Sequence, residues 1–158
     1  MSERLLEQKV LFYDPQKCSG CKYCMLSCSF YHFGVLDLEK AYLRVYHDDT
    51  KPVTFVNAHC THCEYPMCEA ACPVDPKAIV KDPELGFVTI DKMRCIGCRS
   101  CQYACPISIP IFDEGFKISF KCDFCDGDPR CAKFCSTGAI KVVSRGEAKK
   151  LMEVLSLE

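Results

Sequence analysis

Cys95-Ile96-Gly97-Cys98-Arg99-Ser100-Cys101-Gln102-Tyr103-Ala104-Cys105-Pro106 spaces four thiols as C-x2-C-x2-C-x3-C-P. Three closely spaced thiols on one loop can converge on a single centre. The fourth follows the third at i,i+4, one helical turn on, so it faces away from its own loop and can reach a neighbouring centre. The same closing C-x3-C step ends three further runs: Cys18, Cys21, Cys24, Cys28; Cys60, Cys63, Cys68, Cys72; and Cys122, Cys125, Cys131, Cys135. Together the four runs use all 16 cysteines.

Three chemistries compete for them. A disulfide framework is permitted by the even count, but C-x2-C thiols are poor partners for one another and a reducing compartment would keep them apart. Structural zinc is the stronger rival, because it is also held by C-x2-C pairs. Zinc sites, however, usually join two such pairs across a dozen or more residues. In the first and third runs the third thiol follows the second after only two residues. That is the iron–sulfur pattern, in which three thiolates hold one [4Fe-4S] cluster and the fourth ligates its neighbour. Four runs predict four [4Fe-4S] clusters.

Composition agrees with a metal-supported fold. The apolar share of 49% counts cysteine, which is itself about a tenth of the chain, so ordinary apolar packing is thin for two lobes within 158 residues. Metal ligation must then supply much of the folding free energy, and the apoprotein is expected to fold poorly. With 20 basic and 21 acidic residues, neither a nucleic-acid footprint nor a polybasic membrane patch is indicated. Bound clusters add negative charge. Lys17, Lys22, Arg94, Arg99 and Lys121, all close to the runs, are candidates to offset it, or else solvated surface residues. The N-terminal stretch carries Glu3, Arg4, Glu7 and Lys9 without an apolar core, which argues against a secretory signal. No apolar run approaches the ~20 residues needed to span a bilayer. A cytoplasmic location is expected.

Spacing also suggests how the runs pair. Between the second and third, Ala78-Ile79-Val80, the turn Asp82-Pro83-Glu84-Leu85-Gly86 and Phe87-Val88-Thr89-Ile90 read as a hairpin. Lys9 to Tyr13 before the first run and Ala139 to Val143 after the fourth can pair as outer strands. The expected fold is α+β: two nested units with short strands and helices and much loop, organised around the clusters. An inner unit at 53–110 would be inserted into an outer one split between 1–52 and 111–145, with a C-terminal helix at 146–158. Pro73 and Pro106 follow the second and third runs, whereas Ser29 and Ser136 follow the first and fourth, which supports this grouping. The competing scheme pairs neighbours, first with second and third with fourth. Tyr42 to Tyr46 and Val53 to Val56, joined by a polar stretch through Pro52, read as two strands roofing the clusters. In the tail, Ser144 and Glu147 form a capping box, and Ala148, Leu151, Met152 and Leu155 share one helical face.

Cys18-Ser19-Gly20-Cys21-Lys22-Tyr23-Cys24, His59-Cys60-Thr61-His62-Cys63-Glu64-Tyr65-Pro66-Met67-Cys68 and Lys121-Cys122-Asp123-Phe124-Cys125-Asp126-Gly127-Asp128-Pro129-Arg130-Cys131 resemble the four-cluster, bacterial-ferredoxin-like subunits of molybdenum and tungsten enzymes. Cys28 to Val35, running on to Leu43-Arg44-Val45, is most similar to the small subunits of tungsten aldehyde oxidoreductases and benzoyl-coenzyme A reductases. The resemblance implies nested pairing and four ligand sets. These are Cys18, Cys21, Cys24 and Cys135; Cys122, Cys125, Cys131 and Cys28; Cys60, Cys63, Cys68 and Cys105; and Cys95, Cys98, Cys101 and Cys72. Ser136 departs from the Cys-Pro that often follows the last cysteine in relatives.

The implied role is non-catalytic electron relay. One end would meet a tungsten or molybdenum catalytic subunit, aldehyde oxidoreductase among the candidates. The other would meet a flavoprotein, a membrane subunit, a soluble ferredoxin or another copy of the chain. No catalytic residues are expected, because full thiolate ligation leaves no iron open and no flavin, nucleotide or triad motif is present. The alternatives are a stand-alone polyferredoxin, a hydrogenase or carbon monoxide dehydrogenase subunit, and a zinc-binding structural module. His59 and His62 are expected to pack or to donate hydrogen bonds rather than to ligate metal. His32 and His47 carry no assignment, and Met67 and Met152 are read as gap fillers.

Overall fold

The computed structural model describes residues 6–51 and 53–156. The N-terminal charges at Glu3 and Arg4, Pro52 of the polar connection and the last two residues of the tail lie outside them.

The strands form four two-stranded antiparallel ladders. β1 (Lys9–Tyr13) pairs with β8 (Ile140–Ser144) in the register Lys9 to Ser144, so the strands before the first run and after the fourth close on each other as expected. β2 (Arg44–His47) pairs with β3 (Phe55–Ala58). β4 (Ile79–Lys81) pairs with β5 (Val88–Ile90) across the Asp82–Gly86 turn. Asp82 holds that turn by accepting from the backbone N–H of Glu84 and Leu85. The fourth ladder, β6 (Ile111–Asp113) with β7 (Ile118–Phe120), was not foreseen. Its signal was present: Ile111-Phe112 on one side and Phe116 and Ile118, alternating with Lys117, on the other flank Asp113-Glu114-Gly115, and Asp113 accepts from Gly115 and Phe116 N–H as Asp82 does from its own turn.

Among the described residues the longer helical elements are α1 (Tyr23–Phe33), α2 (Met67–Ala70), α3 (Ser100–Ala104), α4 (Arg130–Lys133) and α5 (Arg145–Leu155). α1 buries Cys24, Met25, Cys28 and Ser29 and stops at Gly34, whose left-handed φ of 69° lets its N–H reach Phe30 O. α1 packs on α4, and α2 packs on α3. Elements of the first run therefore meet those of the fourth, and elements of the second meet those of the third.

The main core gathers Leu11, Met25, Tyr42, Leu43, Val45, Phe87, Phe120, Phe124 and Ile140 around Cys24, Cys28 and Cys131. The cluster around the β4–β5 hairpin contains only Ile79, Val88 and Cys101 as buried members. A third cluster seats α5: Ala148 is buried with Val10, Phe12 and Val143, and Leu151 and Leu155 pack against them. Ser144 caps this helix by accepting from Glu147 N–H at 3.2 Å, as the capping box requires. Met152 departs from the expected face. It is exposed, as is Met67, so neither fills a gap.

Polar side chains tie the chain ends to the middle. Gln8 Nε2 donates to Gly86 O at 2.7 Å. Arg145 Nη2 donates to Thr61 O and His62 O, each at 2.9 Å. Tyr13 OH donates to Phe55 O at 2.6 Å. The β2–β3 hairpin straddles the expected boundary at 52, whereas the β6–β7 hairpin lies wholly on the outer side of the boundary at 110 and reaches back to the inner unit. Phe55 packs into the main core, and Ser119 N–H points at Cys95 of the third run.

Candidate metal centres

One backbone device recurs in every run. The residue just before the second cysteine has a left-handed φ: 71° at Gly20, 46° at His62, 71° at Gly97 and 62° at Phe124. Such a turn reverses the loop between two thiols so that both face inward. Glycine takes it without penalty. A Cβ at Gly20 would lie 2.2 Å from the Phe55 ring, and one at Gly97 would lie 2.1 Å from Lys117 O. His62 and Phe124 adopt it with bulky rings, and both are 0% exposed. They meet at 5.9 Å between ring centroids, with Phe87 stacked on Phe124 at 4.5 Å. Aromatic burial at this junction of the second and fourth runs offsets the backbone strain.

The closing cysteines are set by helices. Cys24 and Cys28 lie one turn apart on α1, and α2, α3 and α4 carry Cys68, Cys101 and Cys131, with Cys72, Cys105 and Cys135 just beyond their ends. One cavity is lined by Cys72, Cys95, Cys98 and Cys101 together with Ile79, Ile90 and Ile96. A second is lined by Cys28, Cys122, Cys125 and Cys131 with Leu11, Tyr42 and Phe124. Each holds three thiols of one run and the fourth thiol of another. The other two groups show in mutual electrostatics. Cys24 feels the charges of Cys135, Cys21 and Cys18, and Cys68 feels those of Cys60 and Cys105. Cys63 is exposed and shares with Cys60 the neighbourhood of Arg145.

The donor set fits iron–sulfur chemistry. Burial pushes the Cys24 and Cys28 thiols up to about 12 and Cys68 up to about 11, and it raises Cys122 and Cys131 as well, with neighbouring thiols adding to the effect. Four crowded sulfurs cannot all ionise in an apolar pocket without a cationic centre among them, which a bound metal supplies. Backbone N–H groups already face the sulfurs. Tyr42 N donates to Cys28 at 3.3 Å, Ser119 N to Cys95 and Ile140 N to Cys135 at 3.4 Å each, and His62 N to Cys60 at 3.5 Å. For Cys72 and Cys135, desolvation is outweighed by hydrogen bonds from neighbouring backbone N–H groups, and both thiols are lowered. No disulfide joins any of the sixteen.

The histidines sort as packing and support. His59 bridges Asn57 Oδ1 at 2.8 Å and Leu11 O at 3.0 Å. His62 Nδ1 accepts from Val88 N–H at 3.0 Å. His32, which carried no assignment, has Nε2 3.8 Å from Cys125 Sγ and 3.5 Å from Asp123 Oδ1. These three could group around an ion, but Cys125 already belongs to a set of four thiols. Nothing local in the sequence linked His32 to a cysteine 93 residues away.

The five basic candidates separate sharply. Lys17 pairs with Asp14, Arg94 with Asp91 and Arg99 with Glu114, while Lys22 occupies the left-handed position before α1. Lys121 alone of the five is buried. No described helix is long and apolar enough to cross a membrane.

Comparison with known proteins agrees with the iron–sulfur reading of the cysteines. Residues 51–145 match a family described as 4Fe-4S dicluster domain, and residues 17–76 match a second family of the same description. The polyferredoxin-like subunit of aliphatic sulfonate oxidoreductase from Pyrococcus furiosus is 34% identical over 91% of this chain and 83% of its own length. The thiosulfate reductase electron transfer subunit of Salmonella typhi is 31% identical over 87% of this chain and 76% of its own. Among solved structures, the active site complex BamBC of benzoyl coenzyme A reductase with benzoyl-CoA aligns over 93% of this chain and 88% of that one, at 24% identity and a TM-score of 0.48. The zinc reading falls with the family matches. This chain belongs to the 4Fe-4S dicluster family and is a ferredoxin-like iron–sulfur electron-transfer protein, with cysteines for four [4Fe-4S] clusters.

Proposed function

We propose that the chain is a non-catalytic relay subunit of an oxidoreductase complex, with its four clusters held in nested pairs. Cluster 1 takes Cys18, Cys21, Cys24 and Cys135, and cluster 2 takes Cys122, Cys125, Cys131 and Cys28. Cluster 3 takes Cys60, Cys63, Cys68 and Cys105, and cluster 4 takes Cys95, Cys98, Cys101 and Cys72. When bound, each cluster takes up and gives back one electron. The observation that carries the scheme is the pair of cavities whose thiol linings coincide with the sets for clusters 2 and 4. In this scheme the inner unit 53–110 is inserted between the outer segments 1–52 and 111–145, and the β2–β3 hairpin pairs strands from either side of the boundary at 52.

The protein's work in this scheme is to hold, space and insulate. On α1 the helical step puts Cys24 and Cys28 about one turn apart, roughly 5–6 Å between Cβ atoms, so that the two thiols would serve two adjacent clusters. Cluster 2 draws on Cys28, Cys125 and Cys131, all buried, whereas Cys21 of cluster 1, Cys63 of cluster 3 and Cys98 of cluster 4 are exposed. With clusters 2 and 3 adjacent in the middle of the scheme, clusters 1 and 4 would form the ends of the relay, each with an exposed cysteine of its own. Tyr23 and Phe134 near one end, and Met93, Ile96 and Tyr103 near the other, are exposed apolar side chains suited to partner docking.

By analogy with relatives named as oxidoreductase subunits, one end meets a tungsten or molybdenum catalytic subunit. The other meets a flavoprotein subunit, a soluble ferredoxin or a second copy of this chain, in the cytoplasm. Anaerobic purification of the tagged protein should retain about sixteen irons per chain and bring down a partner containing tungsten or molybdenum. A monomer that recovers alone from its native cells would overturn the subunit reading. For the ligand sets, Cys28→Ser and Cys122→Ser should alter the same EPR signal of the reduced protein. If Cys28→Ser and Cys60→Ser share a signal instead, the runs pair as neighbours and the nested scheme fails.

A further inference from the structure

Lys121 is the last residue before the fourth run, and its side chain turns inward rather than out to solvent. The residue is 4% exposed. Its Nζ donates to Val88 O, on the hairpin between the second and third runs, and to Cys122 O at 3.2 Å. Among the described residues no carboxylate pairs with it, whereas Lys17, Arg94, Arg99 and Lys133, also close to the runs, each pair with one. A buried ammonium held only by carbonyl oxygens is costly unless an anion stands nearby. The anions available are sulfurs. Lys121 adjoins Cys122 in the chain, and Val88, whose carbonyl it meets, belongs to the apolar cluster against which Cys68 packs; the Lys121 charge opposes the rise that burial imposes on both thiols. Cys122 in turn feels Cys60, so this is where the sets for clusters 2 and 3 approach each other.

We infer that Lys121 is the shared counter-cation of the step between the inner and outer units, its buried positive charge favouring the reduced state of both flanking clusters. This rests on the nested ligand sets proposed above. In that step one electron would leave one cluster and arrive at the other. The other three junction features support a fixed position for the charge. Val88 N–H is held by His62, the His62 and Phe124 rings close the site against water, and Arg145 anchors the second-run loop from the far side. A charge that cannot relax into solvent exerts its full effect on both neighbours.

The test is an EPR-monitored potentiometric titration of the anaerobic holoprotein and its Lys121→Met, Lys121→Gln and Lys121→Arg variants, each with its iron content measured. Two of the four midpoint potentials should move to more negative values in the Met and Gln variants, and both should move back toward the native values in Lys121→Arg. Four unchanged potentials at full iron content would overturn the proposal. So would loss of clusters from both neutral variants, since the ammonium would then be holding the fold rather than tuning the relay. Cys68→Ser and Cys122→Ser identify the flanking clusters independently by the signals they alter. If those two variants alter one and the same signal, the ligand sets are wrong whatever Lys121 does. If they alter two signals and the Lys121 variants move a different pair, the sets stand and the Lys121 proposal falls.

Discussion

At Gly97 one added carbon would sit 2.1 Å from Lys117 O, a backbone atom that cannot swing away, at a φ of +71°. At Gly34 the φ is nearly the same, +69°, with nothing within 4 Å. The pair separates two effects that are usually confounded. Gly34→Ala should cost only the left-handed penalty, about 1–2 kcal/mol. Gly97→Ala adds a collision and should cost roughly 3 kcal/mol or more, with lost iron as well as a lower melting temperature. Equal destabilisation of the two variants would show that the Gly97 loop yields easily. The left-handed position itself was legible in the runs that carry glycine. It was hidden where His62 and Phe124 stand, because only the burial of their rings against each other makes that conformation tolerable there.

At the scale of elements, the tail helix offers the cleanest test. α5 is fastened by the Ser144 cap and by Ala148, Leu151 and Leu155 against the β1–β8 ladder. Ser144→Ala should destabilise it by about 1 kcal/mol, read as faster amide exchange across 145–155. Leu151→Ala should show a loss of similar or larger size, whereas Met152→Ala, on an exposed side chain, should stay within about 0.5 kcal/mol of native. If Met152→Ala cost as much as Leu151→Ala, the packed face would be misassigned. The capping box and the helical periodicity announced this element from sequence. Which edge of the apolar stripe would be covered depended on where β1 and β8 lie, and periodicity carries no such information.

For the molecule as a whole, organic packing is unevenly shared. The core around the first and fourth runs contains thirteen buried residues, whereas the cluster around the β4–β5 hairpin contains three. Metal ligation must therefore carry more of the stability at 53–110 than elsewhere. Removing iron with an oxidant and a chelator should reduce the circular dichroism signal. Hydrogen exchange should then show nearly complete loss of protection at 79–90 and partial retention in β1, α1 and β8. Uniform loss along the chain, or none, would contradict this division.

Cluster number and cluster type were readable from the chain because thiol spacing is local geometry: C-x2-C-x2-C with a cysteine four residues on already states what can bind. The hairpin at 79–90 and the closure of β1 on β8 followed from equally local patterns. The hairpin at 111–120 escaped notice although its Asp113-Glu114-Gly115 turn repeats the chemistry at Asp82. Packing alone decided the rest. It brought His32 to Cys125, set the rings of the second and fourth runs edge to face, and separated Lys121 from four other basic residues close to the runs. Those outcomes depend on contacts between segments far apart in the chain, and a buried charge is distinguishable from an exposed one only after its surroundings have assembled.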